Sequence, residues 1–184
     1  MLSKKYIYFI LIALCFLVYA NSLNNGFVSD DIPAILKNPD ISYPSRFWLD
    51  PFNLLNSFSY LIAGYNPFVY HLTSVILHSL NTILVFFFLS LFFKAESSFL
   101  GACLFTAHPI HTEAVTWISG RPYIITSLFI LVVYLLYHKD AAAISSGRKI
   151  NLKRYLFSIF IFSYYLFVNF SFYSIFPLFL ILAD

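Results

Sequence analysis

Long apolar runs alternate along this chain with short clusters of lysine, arginine, proline and glycine, a spacing that suits a membrane-spanning bundle. A hydrocarbon core about 30 Å thick needs about 20 residues of helix at roughly 1.5 Å each. Six stretches approach that requirement: residues 6–23, 67–93, 98–118, 123–137, 155–169 and 172–183. The third crosses only if it continues through His108 and Glu113, and the last three are short. The pattern predicts an all-α, multi-pass transmembrane bundle of about six spans, with residues 1–184 as a single membrane domain.

Positive charge orients the bundle. Lys4, Lys5, Lys94, Lys139, Arg148, Lys149, Lys153 and Arg154 fall on one side, and Lys37, Arg46 and Arg121 on the other. Cytoplasmic loops carry the excess of lysine and arginine, so the N-terminus is expected in the cytoplasm. Residues 24–66 then make one long extracytoplasmic loop, 120–122 a short one beside it, and 138–154 a basic cytoplasmic linker containing Ser145, Ser146 and Gly147. Val18-Tyr19-Ala20 also fits a signal-peptidase site, but the apolar run before it is long and another membrane segment follows.

Composition agrees with the pattern. The chain is 60% hydrophobic and 10% charged, against about 45–50% and about 25% in soluble domains, which excludes an ordinary soluble domain. Its 23 Phe and 14 Tyr exclude disorder. The net charge of +3 is scattered, so no nucleic-acid partner is expected. Cys15 and Cys103 lie inside expected spans, where a small apolar role is the default.

Ionisable groups within membrane segments are costly and mark function. From Thr106 the third stretch turns polar: Ala107-His108-Pro109-Ile110-His111-Thr112-Glu113, ending at Gly120-Arg121-Pro122. At helical spacing His108, His111 and Thr112 lie on neighbouring faces, and Pro109 is expected to bend the helix. Such a half-span is tolerated where it faces protein or water, so it is expected to line a cavity on the extracytoplasmic side. As a metal site it fits poorly. Zinc helices favour two histidines four apart, whereas here the order is H-x-x-H-x-E and Glu113 points about 200° from His111. Hydrogen bonding between helices is the plain alternative to a substrate-facing role.

A second cluster sits in the long loop. Asp30 and Asp31 follow the first span closely, and two adjacent carboxylates can leave one group as a base or bind a divalent cation such as Mg or Mn. Ser29-Asp30 can equally cap a short helix running through Ile35 and Leu36. Further on, Phe47, Trp48, Phe52, Phe58 and Tyr60 place part of the loop at the membrane surface. An amphipathic helix over 51–63 fits that position, as does a protein-binding loop.

These residues match a known pattern. Asn25-Gly26-Phe27-x-x-Asp30-Asp31 with Asn38-Pro39 resembles the first lumenal loop of the GT-C-type glycosyltransferases that carry tetratricopeptide repeats, the O-mannosyltransferase group and its bacterial relatives. Asn66-Pro67-Phe68-x-Tyr70-His71-Leu72 with Leu77-His78-x-Leu80-Asn81 is similar to the start of that family's second span. The longest match runs from Gly101-Ala102 through Ala107-His108-Pro109-Ile110-His111-Thr112-Glu113-Ala114-Val115-x-Trp117-Ile118-Ser119-Gly120-Arg121.

The resemblance implies an integral-membrane enzyme that transfers a sugar, with inversion, from a polyprenyl-phosphate donor to a protein or glycan acceptor. It places Asp30 and Asp31 at the reaction centre. Geometry adds expectations: Arg121 neutralising the leaving phosphate through its fork of donors, and His108, His111 and Glu113 binding substrate. Two departures stand out. Pro122-Tyr123 replaces an acidic residue after the Gly-Arg pair, and Asn169-Phe170-Ser171 replaces a charged turn before Pro177. No repeat of about 34 residues is visible, and relatives carry further spans, so the chain is expected to be either an N-terminal fragment of such an enzyme or one that works with a second polypeptide. Two other classes compete: a non-catalytic membrane module binding a lipid-linked saccharide or a partner protein, and a transporter, which paired interrupted helices would favour. The bacterial inner membrane is expected, with the endoplasmic reticulum as the other possibility.

Overall fold

The computed structural model describes residues 4–145, 149 and 151–168. Of these, 81% are helical and none lies in a strand, so the expected all-α class holds. The chain divides into two compact units, Met1–Leu128 and Phe129–Asp184.

In the first unit, α1 (Lys4–Tyr19) is an almost uninterrupted apolar run. The long loop that follows contains α2 (Pro51–Ala63), the helix expected over 51–63. Asp50 starts it by accepting from the Asn53 N–H at 3.1 Å, with Pro51 in the first turn, where a missing N–H costs nothing. Gly64 ends it at φ 57°, a left-handed conformation that glycine adopts without strain. Asn66 then caps α3 (Pro67–Leu89), its side chain accepting from Phe68 N–H at 3.1 Å.

The third expected span is not one helix. α4 (Ala95–Ala107) has 13 residues, about 20 Å at roughly 1.5 Å each, short of a core about 30 Å thick. It stops because Pro109 has no N–H for the next rung. A tight turn at Pro109–His111, the short α5 (Thr112–Thr116) and a second turn at Ile118–Gly120 follow. His108, His111 and Thr112 therefore do not share a continuous helical face, as 3.6-residue periodicity had suggested.

The broken segment still climbs antiparallel along α3. Ala102 packs with Phe86, Ile7 and Leu11. Thr106 meets Thr82, hydroxyl to hydroxyl at 3.0 Å. Val115 joins Val75, Tyr19 and Ile124, and Ile118 joins Tyr70 and Ile35. From Phe86 to Tyr70 is most of the length of α3. α4 approaches closely because Ser98, Ala102 and Thr106, one turn apart, are small and buried. Its freed Thr106 carbonyl accepts from Tyr19 OH at 3.3 Å and faces His78 Nε2 at 3.4 Å. Cys15 and Cys103 are free thiols, and Cys15 Sγ lies 3.4 Å from Thr82 Oγ1.

α6 (Arg121–Ser145) begins two residues before the expected fourth span and runs past its end, so the expected linker over 138–154 is helical as far as Ser145. Its early part belongs to the first unit. In the second unit α6 and α7 (Leu152–Val168) are joined by Arg154 Nε donating to the buried Asp140 at 2.9 Å. Among the described residues three helical segments, Lys5–Asn24, Pro67–Leu89 and Ile118–Ser145, are long and apolar enough to cross a membrane, where six spans were expected along the whole chain. α7 occupies the fifth expected stretch up to Val168; the sixth, 172–183, and Asn169-Phe170-Ser171 lie outside the described residues.

Gly120 makes the last turn of the climb possible. A Cβ there would meet the Glu113 carbonyl oxygen at 2.7 Å and Ala114 Cα at 3.1 Å, both backbone atoms. Gly120→Ala is expected to destabilise the protein by about 1–3 kcal/mol, as over-packing against an unyielding neighbour does, measured as a lower thermal midpoint in detergent.

Candidate functional site

Four separate stretches of sequence meet at the N-terminal end of α3. The first is the loop around Asp31, whose carboxylate is fully buried. Asp31 Oδ1 accepts from Ser119 N–H at 2.9 Å and Ser119 Oγ–H at 2.6 Å, and Oδ2 accepts from Val28 N–H at 3.1 Å. The loop is thereby tied to the turn that ends the broken segment, 88 residues away. Neither Ser29 nor Asp30 caps the short turn at Ile32–Leu36, so the capping alternative is not what the pair does.

Asp30 and Asp31 have different surroundings. Asp30 is exposed, and among the described residues its carboxylate takes only a 3.5 Å hydrogen bond from Ser29 Oγ. Ser29, just before it, stands at φ 50°, which is uncommon outside glycine. Asp31's oxygens are engaged by three donors, whereas Asp30 faces solvent. Among the described residues no three His, Cys, Asp or Glu side chains converge to hold a metal ion.

Arg121 is the second element. It opens α6, where a cation opposes the helix dipole, and it is fully buried. Its guanidinium is held by three oxygens: Nε donates to Ser74 Oγ at 3.0 Å, Nη1 to Asn56 Oδ1 at 2.8 Å and Nη2 to the Tyr70 carbonyl at 2.6 Å. The Tyr70 ring lies 5.8 Å from its Cζ. The clamp joins α2, α3 and α6, and it leaves no exposed donor for a leaving phosphate.

His71 completes the cluster. It is buried, it interacts electrostatically with both Arg121 and Asp31, and it sits beside the Asn25 and Gly26 backbone without a partner at good hydrogen-bonding geometry. The remaining residues predicted for the site lie further along the climb. His108 is exposed and accepts from Ile110 N–H through Nδ1 at 3.2 Å. His111 is half-buried, its ring 4.3 Å from Phe105 and 5.3 Å from His78. Glu113 is exposed.

Compared with known proteins, the chain is 34% identical to protein O-mannosyl-transferase TMTC3 of Mus musculus, over 66% of this chain and 16% of that protein. It is 36% identical to protein O-mannosyl-transferase Tmtc1 of Drosophila melanogaster, over 69% and 17%, and 32% identical to human TMTC1, over 67% and 17%. The chain is homologous to the TMTC protein O-mannosyl-transferases. It spans about one sixth of the length of these relatives. No family model matches, and no solved structure does.

The sequence pattern gave roles to Asp31 and Arg121 but not to the groups around them: Asn56, Tyr70, His71, Ser74 and Ser119. A signal for two of them, His71 and Ser74, was present. His71, Ser74, His78 and Thr82 recur three and four apart within the apolar α3, one polar stripe on a span. Nothing in the local sequence marks Asn56 or Ser119 as partners of residues so distant.

Asp31→Ala leaves three donors unpaired and is expected to destabilise the fold by about 1–3 kcal/mol or more, given the charge removed. Asp30→Ala is expected to stay within about 0.5 kcal/mol, as surface substitutions do. Thermal unfolding of the two variants in the same detergent checks the contrast.

Proposed function

We propose that this chain forms the acceptor-activating part of a membrane glycosyltransferase that moves a sugar from a polyprenyl-phosphate donor to an extracytoplasmic acceptor. The observation that carries the reading is the division of labour in the Asp pair: Asp31 is buried and fully bonded, Asp30 exposed and almost unengaged. The relatives' names, protein O-mannosyl-transferases, support mannose and a protein acceptor.

In the proposed step a new bond forms between the acceptor hydroxyl oxygen and the sugar's anomeric carbon as the bond from that carbon to the phosphate oxygen breaks. Asp30 takes the hydroxyl proton, and the electron pair leaves with polyprenyl phosphate. A carboxylate turned to solvent can reach an incoming hydroxyl. One that is buried and already accepts three hydrogen bonds offers no open oxygen to that hydroxyl. Asp31 and Arg121 are positioning residues: the first pins the loop to Ser119, the second binds the helices beneath it. His108, exposed beyond the break in α4, is the group best placed to meet the donor's phosphate. Its neighbours His111 and Glu113 shape that rim.

The loop of residues 24–66 is extracytoplasmic in this reading, following the lysine and arginine distribution. The relatives named above are animal proteins, which favours the endoplasmic reticulum over the bacterial inner membrane. The buried guanidinium favours one alternative, a non-catalytic module binding a lipid-linked saccharide, because Arg121 offers nothing to a departing phosphate.

The test uses membranes from the native host expressing the chain, supplied with radiolabelled polyprenyl-phosphate mannose. Asp30→Asn is expected to lower transfer to protein by about 10²–10⁴, the usual contribution of a general base, with expression and thermal midpoint unchanged. Transfer that survives Asp30→Asn removes Asp30 from the chemistry. Absence of any transfer above untransfected membranes selects the binding module.

A further inference from the structure

Helix α2 is packed inside out. Its buried residues are polar: Asn56 and Ser57 are 0% exposed and Ser59 3%. Asn56 receives Arg121, and Ser57 donates to the Ile41 carbonyl at 2.6 Å. Its exposed residues are apolar: Phe58 at 48%, Leu61 at 56% and Ile62 at 76%, with Tyr65 just beyond at 48%. Positions 58, 61, 62 and 65 fall three and four apart, one face of a helix. No residue of α2 is charged. A helix against water shows the reverse arrangement, apolar side to the core and charged side out.

The same inversion marks α3, which is long and apolar enough to cross a membrane. There His71, Ser74, His78 and Thr82 are buried, and Phe68, Ile76, Leu80 and Phe87 are exposed. The two exposed faces run on through the Gly64–Asn66 turn, since Tyr65 and Phe68 are both exposed. α2 is fastened to the first turns of α3 by Arg121, which bonds Asn56 and Ser74 together, and by Tyr70 OH donating to the Gly64 carbonyl at 3.0 Å. Its 13 residues are too few to cross.

We propose that α2 is embedded in the leaflet at which α3 begins, with Phe58, Leu61, Ile62 and Tyr65 against lipid acyl chains and its polar face closed over Arg121. The occupant of the apolar face is lipid, because that face continues the lipid-facing side of a crossing helix and carries no charge by which a protein partner would be selected. The membrane then braces the site: α2 is pressed onto the guanidinium from one side while Asp31 is held through Ser119 on the other. This inference stands whether or not the chain transfers sugar.

The test begins with the unsubstituted chain in native membranes, photolabelled with a phosphatidylcholine carrying a diazirine near the middle of its acyl chain. Labelling of residues 58–65 at a yield comparable to Leu80 and Phe87 is expected. In parallel, Ile62→Cys and the loop variant Lys37→Cys are treated with a membrane-impermeant maleimide, in membranes opened to both faces, against the background of buried Cys15 and half-buried Cys103. Lys37→Cys is expected to react at least tenfold faster than Ile62→Cys. Rapid reaction at 62 means water covers α2 and overturns the proposal. Lack of both lipid labelling and maleimide reaction means protein covers it, and overturns it equally. Should Ile62→Cys fail to fold, the lipid labelling of the unsubstituted chain decides.

Discussion

A guanidinium with no access to water governs the arrangement of this protein. Transferring an arginine out of water costs several kcal/mol after relaxation unless its donors are met. Arg121 meets that demand with a hydroxyl, a side-chain amide and a backbone carbonyl from two other helices. Each acceptor is uncharged, so the cation remains uncompensated at hydrogen-bonding range, and Asp31 supplies the balancing charge from further away. The consequence is geometric. α2, α3 and the start of α6 have to converge for Arg121 to be buried at all, and the Asp31 loop is drawn to the same place through Ser119.

The rest of the first unit follows the same logic on a smaller scale. In a hydrocarbon surrounding, apolar contact between helices gains little over contact with lipid, so association rests on close packing and on hydrogen bonds between helices. The small stripe of α4 and the group formed by Cys15, Thr82 and Thr106 meet that requirement. Pro109 then ends α4, and the interruption is tolerated because Tyr19 and His78 turn to the freed carbonyl of Thr106. The irregular stretch from His108 to Gly120 allows one segment both to climb along α3 and to deliver Ser119 and Arg121 at its end.

Much of this was legible in the residues. Apolar run length located α1 and α3, and the amphipathic helix expected over 51–63 located α2. The histidine-bearing stretch misled in one respect. Periodicity treated residues 98–118 as a bent helix, whereas Pro109, preceded by a histidine whose own Nδ1 accepts from the Ile110 N–H, ends the helix outright. The basic segment after 138 misled for another reason: its Ala-rich start, Ala141-Ala142-Ala143, extends α6, and helix propensity outweighed the linker-like composition.

The sequence by itself determined that the chain belongs in a membrane, where its main helices start, and which family pattern it carries, because apolar length, capping residues and motif identity are local properties. Only the tertiary structure decided that Asp30 and Asp31 differ, that Arg121 is a clamp rather than an open anion site, and that α2 turns its apolar face outward. Adjacent residues share a sequence but not a dielectric environment. Whether a carboxylate or a guanidinium is free to act depends on partners that arrive from 47 to 88 residues away, and no local pattern records which partners those will be.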